Sequence, residues 1–125
     1  MDRGENQRIG KIGEGLAADY LRKKGYEIIK KNYRAKQYGE VDLIAVSPNK
    51  KTLVFVEVKT RIGDEFGRPE EAVGKGKLRE LKKMVDYYYQ QFPKTTLDPQ
   101  IDVVAIILNP DESVASLEHL ENVTL

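Results

Sequence analysis

Two carboxylates and one ammonium stand where apolar side chains are expected. Asp42 interrupts Gly39-Glu40-Val41-Asp42-Leu43-Ile44-Ala45, and Glu57 and Lys59 close Leu53-Val54-Phe55-Val56-Glu57-Val58-Lys59-Thr60. Both stretches read as strands, short and rich in Val, Ile, Leu and Phe. Charge inside a sheet is costly unless it is paired or neutralised, often by a metal. Mg2+ (or Mn2+) takes oxygen ligands and commonly uses one or two protein carboxylates. Asp42 and Glu57 fit that pattern, and the backbone carbonyl of Val58 can add a ligand. The chemistry this suits is phosphodiester hydrolysis, where a divalent ion activates water and neutralises charge at phosphorus. Lys59 shares a strand face with Glu57 and can orient the water or stabilise the developing charge. Glu14, at the edge of a helical apolar stripe, is either a solvated boundary residue or a further carboxylate aimed at the same site. A bare Glu-x-Lys is a weak motif. At the end of an apolar strand, one hairpin after Glu-Val-Asp, it is far more specific.

The elements that position these residues follow from periodicity. Residues 1–6 are expected to be a loose arm. Ile9, Ile12, Leu16, Ala17, Tyr20 and Leu21 recur at helical spacing and predict a helix from Gln7 to Lys24, with Asn6 as N-cap and Gly25 as its stop. Gly10, Gly13 and Gly15 weaken it, which points either to close approach of another backbone or to a later start. Tyr26–Tyr33 is a first strand with Ile28 and Ile29 as its core. A basic turn leads to Glu40–Val46, and a short loop, Ser47–Lys50, joins it to Lys51–Thr60. These two charged strands are therefore adjacent and antiparallel. On the third strand Leu53, Phe55, Glu57 and Lys59 share one face, and Val54, Val56 and Val58 the other.

Arg61–Arg68 is a loop. Pro69 suits the first turn of a helix reaching Phe92, with Glu70 and Glu71 at its positive end. Leu78, Leu81, Val85, Tyr88 and Phe92 form its buried stripe. Lys75, Lys77, Arg79, Lys82 and Lys83 make its first half basic, as a solvated face or as a phosphate-contacting one beside Arg61. Tyr87-Tyr88-Tyr89 spans one turn, so at least one is core. Phe92–Pro99 is a linker, Ile101–Leu108 an apolar strand, and Val114–Val123 a short edge strand. Asp102 is expected to pair with Lys59 or Arg61, or to border the site. His119 is expected at a surface or edge position.

The 125 residues suffice for one domain and carry a formal charge of only +1, so nucleic-acid affinity must come from a local patch. There is no cysteine and one histidine, which excludes thiolate and His-rich metal sites. There is no phosphate-binding Gly-rich loop, nucleophile elbow or His-based triad. The polar start and the lack of ~20 consecutive apolar residues lead to the expectation of a cytoplasmic protein with no membrane partner.

Read together, Gly13-Glu14-x-x-Ala17, Gly39-Glu40-Val41-Asp42-Leu43-Ile44-Ala45, Phe55-Val56-Glu57-Val58-Lys59-Thr60-Arg61, Phe66-Gly67-Arg68-Pro69-Glu70-Glu71-Ala72-Val73 and Ile101-Asp102-Val103-Val104-Ala105 closely resemble the YraN-like family of small bacterial proteins. That family resembles a branch of the restriction-endonuclease-like, or PD-(D/E)XK, superfamily, near archaeal Holliday-junction resolvases. The resemblance implies an α/β fold with a mixed central sheet flanked by helices. It implies that Asp42, Glu57 and Lys59 correspond to the catalytic Asp, Glu and Lys, and Glu14 to the acid on the first helix. Val41 stands where the superfamily pattern has proline.

The leading reading is thus a Mg2+-dependent nuclease acting on DNA, branched or damaged DNA included, and by analogy a homodimer. The alternative is a non-catalytic nucleic-acid-binding module in which the helix lysines matter more than the carboxylates. A third is a structural protein in which Asp42, Glu57 and Lys59 form a buried ion pair.

Overall fold

The computed structural model describes residues 3–63 and 73–123. Helix α1 (Arg3–Lys23) leads into strands β1 (Glu27–Ala35), β2 (Gly39–Val46) and β3 (Thr52–Ile62). Helix α2 (Lys75–Gln91) then connects to β4 (Asp98–Leu108) and β5 (Val114–Leu120). The strands lie side by side in the order β1-β2-β3-β4-β5. Pairing is antiparallel except between β3 and β4, which run parallel. The parallel step follows from the intervening helix, because α2 carries the chain back to the start of the sheet.

The alternation of β3 divides the core. Val54 and Val56 pack with Leu43, Val104 and Ile106 beneath Ile9, Ala17, Ala18 and Leu21 of α1. Leu53 and Phe55 pack with Val41, Ile44 and Ile101 beneath Leu81, Met84 and Tyr88 of α2. One helix therefore covers each face, and β3 is apolar on both sides because both sides are roofed.

Of the three α1 glycines, only Gly13 marks a close approach. A Cβ there would stand 1.7 Å from Thr60 Oγ1 and 2.8 Å from Thr60 Cβ, whereas Gly10 and Gly15 face open space. Gly13→Ala is expected to cost about 1–3 kcal/mol by overpacking, and Gly15→Ala to gain up to about 1 kcal/mol of helix propensity. Urea midpoints of the two variants should move in opposite directions. A neutral Gly13→Ala would contradict this packing.

Several expectations are corrected. Asn6 is not an N-cap, since α1 already runs from Arg3. Residues 3–6 are no loose arm either, because they form the first turn of α1 and Glu5 pairs with Arg8, which grips the β4–β5 turn with a two-pronged bond to Glu112 at 2.9 and 2.7 Å. Ile29 is 39% exposed. The β1–β2 register shifts between Ile28 and Lys30, so Ile29 is the extra residue of a bulge, turned away from the core. Helix α2 begins at Lys75 after an N-cap at Gly74, while Pro69, Glu70 and Glu71 lie outside the described residues. Phe92 caps α2 and is 39% exposed, and Met84 takes its place in the core. Strand β4 starts three residues early, at Asp98. Pro99 fits there because β5 joins β4 only from Val103 onward. Of the three tyrosines, Tyr88 is core, Tyr89 donates to the Leu97 carbonyl, and Tyr87 packs against Tyr33 and Tyr38.

Candidate functional site

The site begins where two strands part. Pairing of β2 with β3 runs from Val46↔Leu53 to Leu43↔Val56 and stops, while β3 stays in register with β4 to Ile62. Beyond that point the Val58 N–H donates to the Asp42 carboxylate, Oδ2, at 2.8 Å. A side chain thus supplies the acceptor that a continued ladder would have drawn from backbone, and Asp42 is held half-buried in the split.

Glu57 is the neighbouring residue on β3 and is 5% exposed. Burial, and then the adjacent Asp42 charge, push its carboxyl up to about 8. Its Oε1 is buried with no hydrogen-bond partner. Its Oε2 lies 3.8 Å from Lys77 Nζ. Lys59, half-buried on the same strand face, adds a weaker favourable charge.

Lys77 is the site residue whose position sequence reasoning missed. Its place in the basic run suggests a solvated or phosphate-contacting face, yet its ammonium turns inward onto Glu57 and is held by Glu80 at 2.6 Å. Burial pulls the ammonium down, but the Glu80 hydrogen bond and the Glu57 charge outweigh this and leave it raised. Glu80 packs against Gly39 (φ 131°), where a Cβ would meet the Glu80 carboxyl at 2.3 Å. The glycine of the β1–β2 turn therefore makes room for the acid that orients the lysine. A signal was present: Lys77 stands four residues before buried Leu81 and seven before buried Met84, on the inward stripe of α2. Lys77→Met is expected to lower stability by about 1–2 kcal/mol, since it leaves a buried carboxylate with less compensation. Urea unfolding above about pH 8, where Glu57 is ionised in the folded chain, would measure it.

Glu14 does join the group. Burial, then the charges of Asp42 and Glu40, raise its carboxyl, and a hydrogen bond from Asn32 opposes the shift. Turned so that its amide nitrogen faces the acids, which satisfies both sides, Asn32 donates to Glu40 Oε1 at 2.8 Å and to Glu14 Oε1 at 3.2 Å. Glu14, Asn32, Arg34, Glu40 and Asp42 help line an open cleft of about 640 Å³ between α1 and the β1–β2 edge. Three carboxylates, Glu14, Asp42 and Glu57, are thus gathered with Asp42 as the shared neighbour.

The remaining basic residues stay outside. Arg61, Lys75, Arg79, Lys82 and Lys83 are exposed. Arg61 donates to the Thr60 carbonyl at 3.0 Å.

Asp102 pairs with neither Lys59 nor Arg61. It is fully buried and hydrogen-bonds His119, Gln100 and the Asn122 amide. The reason is strand parity. Asp102 shares the α1 face with Val104 and Ile106, whereas Lys59 follows Phe55 and Glu57 on the α2 face. His119 is on the edge strand as expected, but its side chain is buried.

Fold and site together define a mixed α/β domain with an acid pair, buried Glu57 and half-buried Asp42, at a strand split and a third carboxylate on α1. The chain belongs to the family described as "Uncharacterised protein family UPF0102", whose model matches residues 13–106. A UPF0102 protein of Caldanaerobacter subterraneus subsp. tengcongensis is 38% identical over 123 residues, covering 98% of each chain. One from Syntrophomonas wolfei is 42% identical, covering 94% of this chain and 97% of its own. One from Syntrophus aciditrophicus is 42% identical, covering 86% and 82% respectively. Among the described residues no helix is long and apolar enough to cross a membrane.

Proposed function

We propose that this chain is a metal-dependent nuclease with a restriction-endonuclease-like, PD-(D/E)XK core, hydrolysing phosphodiester bonds in DNA, with branched or damaged DNA as the favoured substrate. The observation that carries the reading is Glu57: a carboxylate 5% exposed, beside a second carboxylate, with one oxygen lacking any partner. Such a group is stable as an anion only with a cation against it.

The donor set fits Mg2+ or Mn2+, being carboxylate oxygens without thiolate or imidazole. Asp42 and Glu57 would hold the ion with the Val58 carbonyl, and Glu14 would serve a second position or hold one of the ion's waters. When bound, it would supply an activated water and neutralise charge on phosphate. The chain's own groups do the rest. Lys59 presents an ammonium on the Glu57 face, where it can position water or meet the phosphate. Lys77 compensates Glu57 from the other side. Exposed Arg61, Lys75 and Arg79 supply contacts to backbone phosphates on either side of the cleavage point.

The inward turn of Lys77 favours this reading over a binding module, because it ties the helix to the acids rather than to solvent. A binding module would instead depend on Lys75, Arg79, Lys82 and Lys83, and its affinity would survive Asp42→Ala. Cutting both strands of a junction would call for a symmetric homodimer, which sedimentation with DNA would reveal. The decisive test is incubation with Mg2+ or Mn2+ and a panel of single-stranded, duplex and four-way-junction DNA. Metal-dependent cleavage of at least one substrate is expected, and an untouched panel with both ions sinks the nuclease reading.

A further inference from the structure

We propose that Asp102, His119 and Glu121 form a second metal site, for a divalent first-row transition ion of the zinc class, which fastens the last strand to β4 and α1. One donor atom from each residue lies within 4.8 Å of the other two. The site is distinct from the acid pair. Tyr20, which contacts His119, stands six residues past Glu14 on α1, about 9 Å along the helix axis. None of the charges that shift Glu14 or Glu57 comes from this cluster.

The cluster has the features of a ligand set held by its surroundings. Asp102 is fully buried, and its Oδ1 is occupied by Gln100 Nε2 at 2.8 Å and the Asn122 amide at 3.0 Å. That leaves Oδ2 facing His119 Nε2 at 2.7 Å. The other ring nitrogen, Nδ1, lies 3.2 Å from the Tyr20 hydroxyl. Tyr20 and Tyr26 also meet the ring edge-on, which fixes its plane. A ligating histidine whose second nitrogen is held by a hydrogen-bonding partner is the usual arrangement at metal centres. Glu121 follows β5 directly and is exposed, so it gives the site an entry from solvent.

Two carboxylates and a neutral imidazole carry two negative charges, which a divalent ion neutralises. The nitrogen donor selects zinc-like ions over Mg2+. On binding, the neutral imidazole ligates through Nε2 with its single proton carried on Nδ1, from which it donates to the Tyr20 oxygen. The ion then links β4, β5 and, through Tyr20, α1.

The full chain, stripped with a chelator and titrated with Zn2+ by calorimetry in excess Mg2+, is expected to bind one ion saturably and to melt at higher temperature with it. Glu121→Gln leaves the buried His119–Asp102 pair intact and should weaken Zn2+ binding by roughly tenfold or more, as should Tyr20→Phe. Asp42→Ala should leave Zn2+ binding unchanged. Failure of the wild-type chain to take up Zn2+, or equal affinity in Glu121→Gln, overturns the proposal. So does loss of uptake in Asp42→Ala, which would place the ion at the acid pair instead. The nuclease reading is untouched by any of these results, since it is scored by cleavage.

Discussion

Asp42→Asn is expected to remove metal-dependent cleavage, by about a thousandfold or more. The substitution keeps a side-chain oxygen that can accept from the Val58 amide, the bond that holds the strand split in place. What it removes is the charge. A metal contributes several kcal/mol of transition-state stabilisation, and about 4 kcal/mol corresponds to a factor of about a thousand in rate. Asp42→Ala should be equally inactive but also less stable, because the Val58 N–H loses its acceptor. Lys59→Ala should lose activity while metal-induced stabilisation persists, since its role is at water or phosphate and not at the ion. Glu14→Gln should cost less, on the order of tenfold. Single-turnover cleavage of the best panel substrate measures all four. An Asp42→Asn protein that folds, and cleaves as fast as the parent, would remove the acid pair from the mechanism.

The second large effect is on stability rather than rate. Without added metal, the chain should become less stable as pH rises from about 4.5 to about 8, in proportion to the proton that Glu57 keeps. In the unfolded chain Glu57 ionises near 4.5, whereas burial and the Asp42 charge delay this to about 8 in the folded chain. Across that window the folded state binds more protons than the unfolded state, so stability falls with pH. The contribution is present in full below about 4.5 and is lost as pH rises through about 8. A shift of this size in a buried group amounts to a few kcal/mol. Glu14, also raised, works in the same direction. Asp111 and Glu112, held low by Ser113 and Arg8, add stability that is lost only as pH falls below this window. The diagnostic quantity is therefore the difference between the parent chain and Glu57→Gln. Glu57→Gln should flatten the slope and be the more stable of the two at pH 8. Mg2+ or Mn2+ should reverse the trend in the parent chain, because the ion competes with the proton. Its effect on melting temperature should be larger near pH 8 than near pH 5. Parallel stability profiles for the two proteins would show that Glu57 is not the strained group.

The local message of the chain was enough to place the three central residues. Strict alternation along Leu53–Lys59 assigned Glu57 and Lys59 to one face, and the short Ser47–Lys50 loop brought Asp42 beside them. Apolar residues on both faces of that strand called for cover on both sides, and the structure assigned α1 to one and α2 to the other. The alternation and the short loop depend on neighbours within a few residues, which sequence spacing reports directly. Lys77, Asp102, His119 and Ile29 depended on distant partners. Lys77 reads as one member of a basic run until Glu57 and Glu80 are packed against it. Asp102 and His119 are 17 residues apart and meet only through the β4–β5 register. Ile29 looks like a core residue until a bulge rotates it outward. Charge and periodicity therefore determined which residues carry the candidate chemistry. Tertiary structure decided which cation faces Glu57 and where the second polar cluster forms, because strand register and helix docking join positions that are far apart in the chain.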